Sequence, residues 1–203
     1  MGLAGMRIVV FGSTGRAGGA VVERALDMGH HVTAFARSPE RLAWLKGRNG
    51  LTISVGDAMD ERSVIEALKG GDAVISALGS GTLDPTTHLS EMTTGLVAAM
   101  RSEGPSRLVA LSHVGVLLKK VDPQYQHVAE EHRRNLRILE ESGLEWVAVC
   151  PPGIVSEPAH GHVEVVAGAR APNWTISRFD LADFMIEQTE SGEFLNQTVG
   201  ISN

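Results

Sequence analysis

Short apolar runs alternate with segments of helical spacing along the first three quarters of the chain. The apolar runs lie at 6–11, 31–36, 51–55, 73–77, 107–111 and 146–150. Runs without polar interruption suit strands that are buried on both faces of a parallel sheet. Helices are predicted between them at 17–28, 39–45, 61–68, 89–101 and 126–141. This alternation predicts an α/β fold with a doubly wound parallel sheet of the Rossmann type.

The pattern loosens after the proline pair Pro151 and Pro152. There the sequence predicts short strands at 163–166 and 174–177, a helix at 180–190 and a last strand at 197–201. This segment is too short for a separate domain. We therefore expect one domain over 1–203, in which the segment forms a small C-terminal cap beside the carboxyl ends of the strands.

Composition narrows the classes of partner and compartment. The 203 residues carry a formal net charge of -6, which gives no general attraction to nucleic acid. No apolar stretch approaches the ~20 residues of a membrane span, and the N-terminus lacks the pattern of a signal peptide. The single cysteine, Cys150, permits no internal disulfide, and its apolar neighbours predict that it is buried. We predict a cytoplasmic protein.

Three regularly spaced glycines follow the first predicted strand and open the first helix. They belong to the stretch Gly12, Ser13, Thr14, Gly15, Arg16, Ala17 and Gly18. Gly12 permits a tight turn, Gly15 lets the backbone approach a pyrophosphate, and Gly18 lets the helix pack closely on the sheet. The N–H groups at the helix start would face the phosphate. The spacing resembles that of the short-chain dehydrogenase superfamily and predicts a dinucleotide site, with a purely structural turn as the alternative.

The end of the second strand indicates which dinucleotide binds. Sites selective for NAD place Asp or Glu there to hold the ribose 2′-hydroxyl. Here the positions hold Arg37 and Ser38, with Arg41 one turn later. A guanidinium group matches a 2′-phosphate in charge and geometry. We predict NADPH or NADP as the cofactor, with a solvated pair of surface arginines as the alternative.

The superfamily resemblance implies further cofactor contacts. It places Asp57, with Ala58 beside it, against the adenine, and Leu78 and Gly79 along the cofactor. The superfamily usually carries a catalytic Tyr-x-x-x-Lys motif. The only tyrosine here, Tyr125, is followed four positions later by alanine. An ordinary alcohol dehydrogenase is therefore not expected.

Five stretches resemble the family of NADPH-dependent flavin reductases and biliverdin-IXβ reductases. They lie at 84–87, 96–100, 141–144, 147–152 and 176–181. The resemblance implies a monomer with an open pocket, where hydride passes from the nicotinamide to a planar acceptor. The acceptor would be a flavin (FMN, FAD or riboflavin) or a linear tetrapyrrole. Binding and alignment would then supply most of the catalysis.

The same resemblance indicates where the chemistry takes place. The family's serine at the end of the fifth strand corresponds to Ser112, which would bond the substrate or the nicotinamide. Cofactor contacts would extend to Pro151, Pro152, Gly153 and Ile154. The family often has histidine where this chain has Gly153, and this departure disfavours biliverdin reduction.

Two histidines could replace that missing side chain as proton donors. His113 follows Ser112 directly, and His132 lies on the helix predicted at 126–141. Histidine titrates near neutral pH and can donate a proton. The alternative for both is a packing role. The charged stretch 130–134 is interpreted as a solvated helix face, and no metal site is expected.

These observations leave three functions open. The favoured one is an NADPH-dependent reductase of planar conjugated acceptors. The second is a redox sensor that binds NADP and a protein partner without turnover, because NmrA-like regulators share the glycine loop and also lack the Tyr–Lys pair. An isomerase or epimerase is disfavoured because it normally needs that pair. No membrane or nucleic-acid partner is expected.

Overall fold

The computed structural model describes residues 5–203, apart from the side chain of Glu103. The strands are β1 (Arg7–Phe11), β2 (His31–Ala36), β3 (Leu51–Val55), β4 (Ala73–Ser76), β5 (Arg107–Leu111), β6 (Glu145–Cys150), β7 (Gly153–Val155), β8 (Glu164–Ala167), β9 (Thr175–Ser177) and β10 (Gln197–Ser202). The α-helices are α1 (Arg16–Asp27), α2 (Glu61–Leu68), α3 (His88–Glu103), α4 (Gln126–Glu140) and α5 (Arg178–Glu187). Short 3-10 helices span Pro39–Leu45, Val114–Val116 and Pro123–Tyr125.

Eight strands form one sheet in the order β3-β2-β1-β4-β5-β6-β10-β8. The chain starts at β1, winds outward to β3, and then crosses back to β4 on the other side of β1. All pairs are parallel except β10 with β8. The predicted Rossmann fold is therefore confirmed. A sheet with this order has its ligand crevice where the winding reverses, at the carboxyl ends of β1 and β4.

The segment after Pro152 differs from the predicted cap. Strand β10 pairs with β6, and β8 pairs with β10, so both extend the main sheet. The reason is burial, because Val199 and Ile201 in β10 are 0% exposed. Only β7 and β9 form a small sheet of their own, directly after the carboxyl end of β6. The prediction of a cap is thus wrong for β8 and β10.

Apolar side chains pack on both faces of the sheet. Ile8 and Val10 of β1 face a core that includes α1 and α5. Val9 and Phe11 point the other way, into a core that includes α2 and α3. This alternation follows from the two-residue period of a strand. It explains why β1 is apolar without interruption.

The predicted helices are present with one change of type. The segment Pro39–Leu45 is a 3-10 helix rather than an α-helix. Ser38 occupies its N-cap position, but the serine side chain makes no capping hydrogen bond. Among the helices of residues 5–203, none is long and apolar enough to cross a membrane.

The glycine loop fits its surroundings only because Gly12 and Gly18 lack side chains. Gly12 has a φ of +72°, a left-handed conformation that favours glycine, and a Cβ there would lie 2.4 Å from the Ala77 carbonyl oxygen. A Cβ on Gly18 would lie 2.2 Å from the Gly12 carbonyl oxygen. The first turn of α1 therefore packs directly on the backbone of the loop.

This packing predicts opposite outcomes for two neighbouring glycines. Gly18→Ala should destabilise the fold by ~3 kcal/mol or more, because backbone atoms cannot move aside for the added methyl. A Cβ on Gly19 would meet its nearest atom at 3.5 Å, an ordinary contact. Gly19→Ala should therefore stabilise the helix by ~0.5–1 kcal/mol. Urea unfolding of both variants measures the difference, and equal stabilities would contradict this account of the loop.

Candidate functional site

The residues that follow four neighbouring strands lie along one edge of the sheet. Phe11 of β1 is in register with Ser76 of β4, and Leu111 of β5 is in register with Val149 of β6. The positions just beyond these strand ends are Gly12, Ala77, Ser112 and Pro151. This edge carries the glycine loop at one end and a cluster of polar side chains at the other.

Two cavities lie on either side of the glycine loop, and Thr14 and Gly15 line both. The first, called here the crevice cavity, has a volume of about 220 Å³ and is also lined by Gly12, Phe35, Ala36, Arg37, Asp57, Ala58, Ala77, Leu78, Gly79 and Met92. The second, called here the arginine cavity, has a volume of about 480 Å³ and is also lined by Ser13, Arg16, Gly19, Ala20, Glu23, Arg41, Leu42, Trp44, Ser156 and Arg178.

The start of α1 leaves its backbone N–H groups available to a ligand. Gly15 occupies the N-cap position, where it supplies no side-chain hydrogen bond, and the first turn has no acidic residue. The buried hydroxyl of Ser13 donates to the Phe35 carbonyl oxygen over 2.7 Å, which ties the loop to β2. Ser13 thus anchors the loop. Free N–H groups at a helix start, together with the helix dipole, favour an anion there.

The arginines that follow β2 do not share one cavity. Arg37 lines the crevice cavity beside Asp57, whereas Arg41 lines the arginine cavity. Ser38 lies between them and lines neither cavity. Neither guanidinium forms an ion pair or a hydrogen bond with another residue of the described part of the chain. Both charges are therefore available to a ligand, from opposite sides of Thr14 and Gly15.

The crevice cavity contains the positions predicted to contact adenine and the rest of the cofactor. The Met59 N–H donates to a carboxylate oxygen of Asp57 over 2.9 Å, so this acid also holds its own turn. Ala58, Leu78 and Gly79 complete the wall. A Cβ on Gly79 would have no heavy atom within 4 Å, so this side of the crevice is open.

Ser112, His113 and His132 come together at the end of β5 as a polar cluster, which we call the histidine cluster. Ser112 Oγ lies 3.5 Å from His132 Nδ1, and both residues are buried. The rings of His113 and His132 stack with centroids 5.9 Å apart. The ring of Tyr125 lies 6.0 Å from that of His113 and is partly exposed. The sequence predicted the first three residues but gave Tyr125 no role.

Burial changes the titration of the histidine cluster. It lowers the pKa of His132 to about 4, with a smaller contribution from neighbouring His113. Burial also lowers the pKa of His113, helped by the charge of Arg133. Both shifts favour the neutral ring at pH 7, and the expectation of a titration near neutrality is wrong for His132. His113 Nδ1 accepts a hydrogen bond from the Gly115 N–H over 3.0 Å, so its neutral ring carries its proton on Nε2.

Cys150 lies at the end of β6 and is completely buried, as predicted. Burial raises the pKa of its thiol to about 12, despite a hydrogen bond from Ser112 that acts in the opposite direction. The thiol therefore stays protonated at neutral pH. A protonated and inaccessible thiol is inert, which leaves Cys150 a packing role.

Helix α4 is held by charged residues that were predicted to face solvent. Glu131 is 0% exposed and accepts hydrogen bonds from the Ser90 N–H over 2.7 Å and from Arg134 Nε over 2.8 Å. The interpretation of 130–134 as a solvated face is therefore wrong for Glu131 and for His132. The buried positions of α4 recur at helical spacing, and that spacing was the available signal: Val128, Ala129, Glu131, His132, Asn135 and Leu139.

The predicted cofactor contacts at 151–154 use their backbone mainly within the protein. The Gly153 N–H donates to the Trp174 carbonyl oxygen over 3.1 Å, and the Pro151 carbonyl oxygen accepts from the Val114 N–H over 3.2 Å. Arg16 Nη1 donates to the Ile154 carbonyl oxygen over 3.0 Å. This bond links the glycine loop to β7, while the contacts of 151–154 with a cofactor stay a prediction.

Other members of the stretch 12–18 act in packing, and other residues were missed. Ala17 and Gly18 are buried within α1 and line neither cavity. Trp44 and Trp174 are 57% and 60% exposed. The missed residues lie around the arginine cavity: Trp44, Ser156 and Arg178.

Comparison with known proteins adds to this geometry. A family model described as NAD(P)H-binding matches residues 12–191, from the glycine loop to beyond the end of α5. The chain belongs to this NAD(P)H-binding family. Within residues 5–203, apart from the side chain of Glu103, this NAD(P)H-binding protein has no group of three or more His, Cys, Asp or Glu side chains that could hold a metal ion.

Relatives of this NAD(P)H-binding protein include reductases. It is 40% identical over 81 residues to the isoflavone reductase homolog IRL of Zea mays. The aligned residues make up 36% of this chain and 26% of the maize protein. A structure from Streptococcus pneumoniae named "putative NADH-flavin reductase" superimposes with a TM-score of 0.84 at 22% identity, over 98% of this chain and 100% of that one. The anaerobilin reductase of Escherichia coli O157:H7 superimposes with a TM-score of 0.82 at 19% identity, over 97% of this chain and 96% of that one.

These likenesses differ in what they establish. The two solved structures establish the fold, because their sequence identities are 22% and 19%. The chain spans 26% of the length of the relative from Zea mays, 67% of that of a relative from Arabidopsis thaliana and 33% of that of a relative from Synechocystis.

The histidine cluster predicts how stability depends on pH. The pKa of His132 is about 4 in the folded protein, against ~6.5 in an unfolded chain. The neutral His132 ring therefore contributes fully to the free energy of unfolding above pH 6.5, and this contribution is lost as the pH falls toward 4. Between pH 7.5 and pH 5 the wild type should lose ~2 kcal/mol through this group. Urea unfolding at both pH values should show that His132→Asn removes this part of the loss.

His127, which is on the same helix and exposed, provides the control. His127→Asn should retain the pH dependence of the wild type. An unchanged pH dependence in His132→Asn would contradict the low pKa of His132.

Proposed function

We propose that the protein is an NADPH-dependent reductase that transfers hydride to flavins or similar planar conjugated acceptors. The observation that carries the proposal is the uncapped start of α1 between two cavities, each lined by an arginine without an internal partner. A dinucleotide with an additional phosphate supplies anions that these groups can bind.

The residues present fit such a dinucleotide. A Cβ on Gly15 would lie 3.2 Å from the Gly12 carbonyl oxygen, at the point where the pyrophosphate would approach the backbone. Arg37 and Asp57 would contact the adenosine half, and Leu78 and Gly79 would follow the chain toward the nicotinamide. The reduced nicotinamide, when bound, supplies a hydride. The family match to NAD(P)H-binding proteins supports this use of the crevice.

The histidine cluster would align the acceptor and leave proton supply to the solvent. Ser112 Oγ can donate a hydrogen bond to a carbonyl oxygen of the acceptor, and His113 Nε2–H is a second neutral donor. With pKa values below neutrality, neither histidine is a charged acid at pH 7. In the balanced reaction NADPH, flavin and one proton from water give NADP and reduced flavin. Such a reaction needs positioning more than acid–base catalysis.

The rim of this end of the crevice suits a flat molecule. Tyr125 and Trp174 are 41% and 60% exposed, and Gly79 borders open space. Gly153, which is exposed, bonds directly to the backbone of Trp174. The Arg170 guanidinium covers one face of the Trp174 ring, 4.3 Å from its centre, and the aromatic surface that stays exposed can stack on conjugated rings. The names of the neighbours also refer to flavin and anaerobilin reduction, while a cytoplasmic location and a monomeric state stay predictions.

Anaerobic assays of NADPH oxidation with FMN, FAD and riboflavin test the proposed activity. We expect a flavin-dependent rate above the uncatalysed reaction. Ser112→Ala should lower kcat/KM for the flavin about 10-fold, the effect of losing one hydrogen bond of ~1.4 kcal/mol in the transition state, and should leave NADPH binding unchanged. Ser102→Ala, on the exposed side of α3, is the control and should be neutral. Absence of any flavin-dependent rate would refute the reductase.

The alternative is an NADP-binding redox sensor without turnover. The neutral, buried histidines favour it, because they supply no charged acid beside the crevice. It predicts tight binding of NADPH together with no oxidation by any planar acceptor. The same assays therefore distinguish the two functions.

A further inference from the structure

The arginine cavity carries an excess of positive charge. It is lined by three arginines and one acid, Glu23. None of these three arginines forms an ion pair within residues 5–203, apart from the side chain of Glu103, which is not described. Five arginines elsewhere in the protein do form ion pairs: Arg7, Arg24, Arg48, Arg107 and Arg134. The cavity wall therefore has a net charge of about +2, with no side chain to neutralise it. The three lining arginines are Arg16, Arg41 and Arg178.

Arg178 is held in position without satisfying its own hydrogen-bonding groups. Its neighbour Ser177 is buried, donates to the Glu157 carbonyl oxygen over 2.8 Å and accepts from the Phe179 N–H over 3.3 Å. The Arg178 guanidinium lies 4.6 Å from the centre of the Phe179 ring. Its Nε is buried and has no partner among the described residues. An unpaired buried donor is costly, and the guanidinium that carries it lines the arginine cavity.

The arginine cavity also borders the proposed dinucleotide site directly. Thr14 and Gly15 line it as well as the crevice cavity. Arg16, in the same loop, is fixed by its bond to the Ile154 carbonyl oxygen. A group attached to a dinucleotide in the crevice can therefore reach the arginines around the edge of the loop.

We propose that the arginine cavity holds the 2′-phosphate of NADPH, and that Arg178 determines the preference for NADPH over NADH. This inference rests on the proposed function. A phosphomonoester carries up to two negative charges at pH 7, which match the net charge of the wall, and its oxygens can accept from guanidinium groups. NADH has no group to place there and would leave the arginines unpaired. Cofactor preference would then depend on the C-terminal segment as well as on the residues after β2.

Calorimetric titrations of the full-length protein with NADPH, NADH and inorganic phosphate test this assignment. We expect the wild type to bind NADPH at least 10-fold more tightly than NADH. Arg178→Gln should weaken NADPH binding 10- to 100-fold, the range for charge-assisted hydrogen bonds, and should change NADH binding less than 2-fold. Arg101→Gln provides the control, because Arg101 is exposed on α3 and lines neither cavity.

The possible outcomes separate this inference from the proposed function. If the wild type prefers NADPH and folded Arg178→Gln keeps that preference, the assignment of Arg178 is wrong and the reductase proposal stands. If the wild type binds both equally, the proposed use of NADPH itself fails. Binding of inorganic phosphate that depends on Arg178, with NADPH affinity unaffected, would identify a free phosphate site and overturn the 2′-phosphate assignment.

A second substitution guards against loss of folding. Arg178→Lys keeps the charge but not the planar fork of donors, so it should bind NADPH with an affinity between those of the wild type and Arg178→Gln. Arg41 lines the same cavity, so Arg41→Gln should cause the same selective loss of NADPH affinity. NADH binding shows in each case whether the variant is folded. If neither the Arg178 variants nor the Arg41 variant loses NADPH affinity selectively, the inference is overturned.

Discussion

The contact between the glycine loop and its own helix is the constraint on which the site depends. The Gly12 carbonyl oxygen occupies the space that a side chain on Gly18 would need, and Gly12 itself packs against Ala77. Because no side chains intervene, the start of α1 reaches the carboxyl ends of β1 and β4. The uncapped N–H groups of the helix are thereby placed at the reversal of the sheet. A bulkier loop would move them away from the edge where ligands of such sheets bind.

The charge of the side chains differs between the two ends of this edge. Unpaired arginines flank the loop on both sides, so the field there favours anions. At the far end, burial removes charge from His113 and His132, so that end offers neutral hydrogen-bond donors. This division suits a ligand with charged phosphates at one end and an uncharged conjugated ring at the other. The histidine cluster is kept in place by α4, which Glu131 fastens to Ser90 of α3.

The fold could be predicted from the sequence because local patterns specify it. Apolar runs gave the strands, and the glycine spacing gave the first turn. The site was less accessible, because its details depend on distant contacts. Glu131 looked solvated since its partner Ser90 lies 41 positions away. Arg37 and Arg41 looked like one pair, but the 3-10 helix after β2 places them on different cavities. Arg178 reaches the loop only through tertiary packing, which no local pattern reveals.

A crystal structure of the protein with NADP would test the central claim most directly. The account predicts pyrophosphate oxygens within hydrogen-bonding distance of the N–H groups at the start of α1, with the adenosine between Arg37 and Asp57. A dinucleotide bound away from the glycine loop, or a pyrophosphate without contact to those N–H groups, would contradict it.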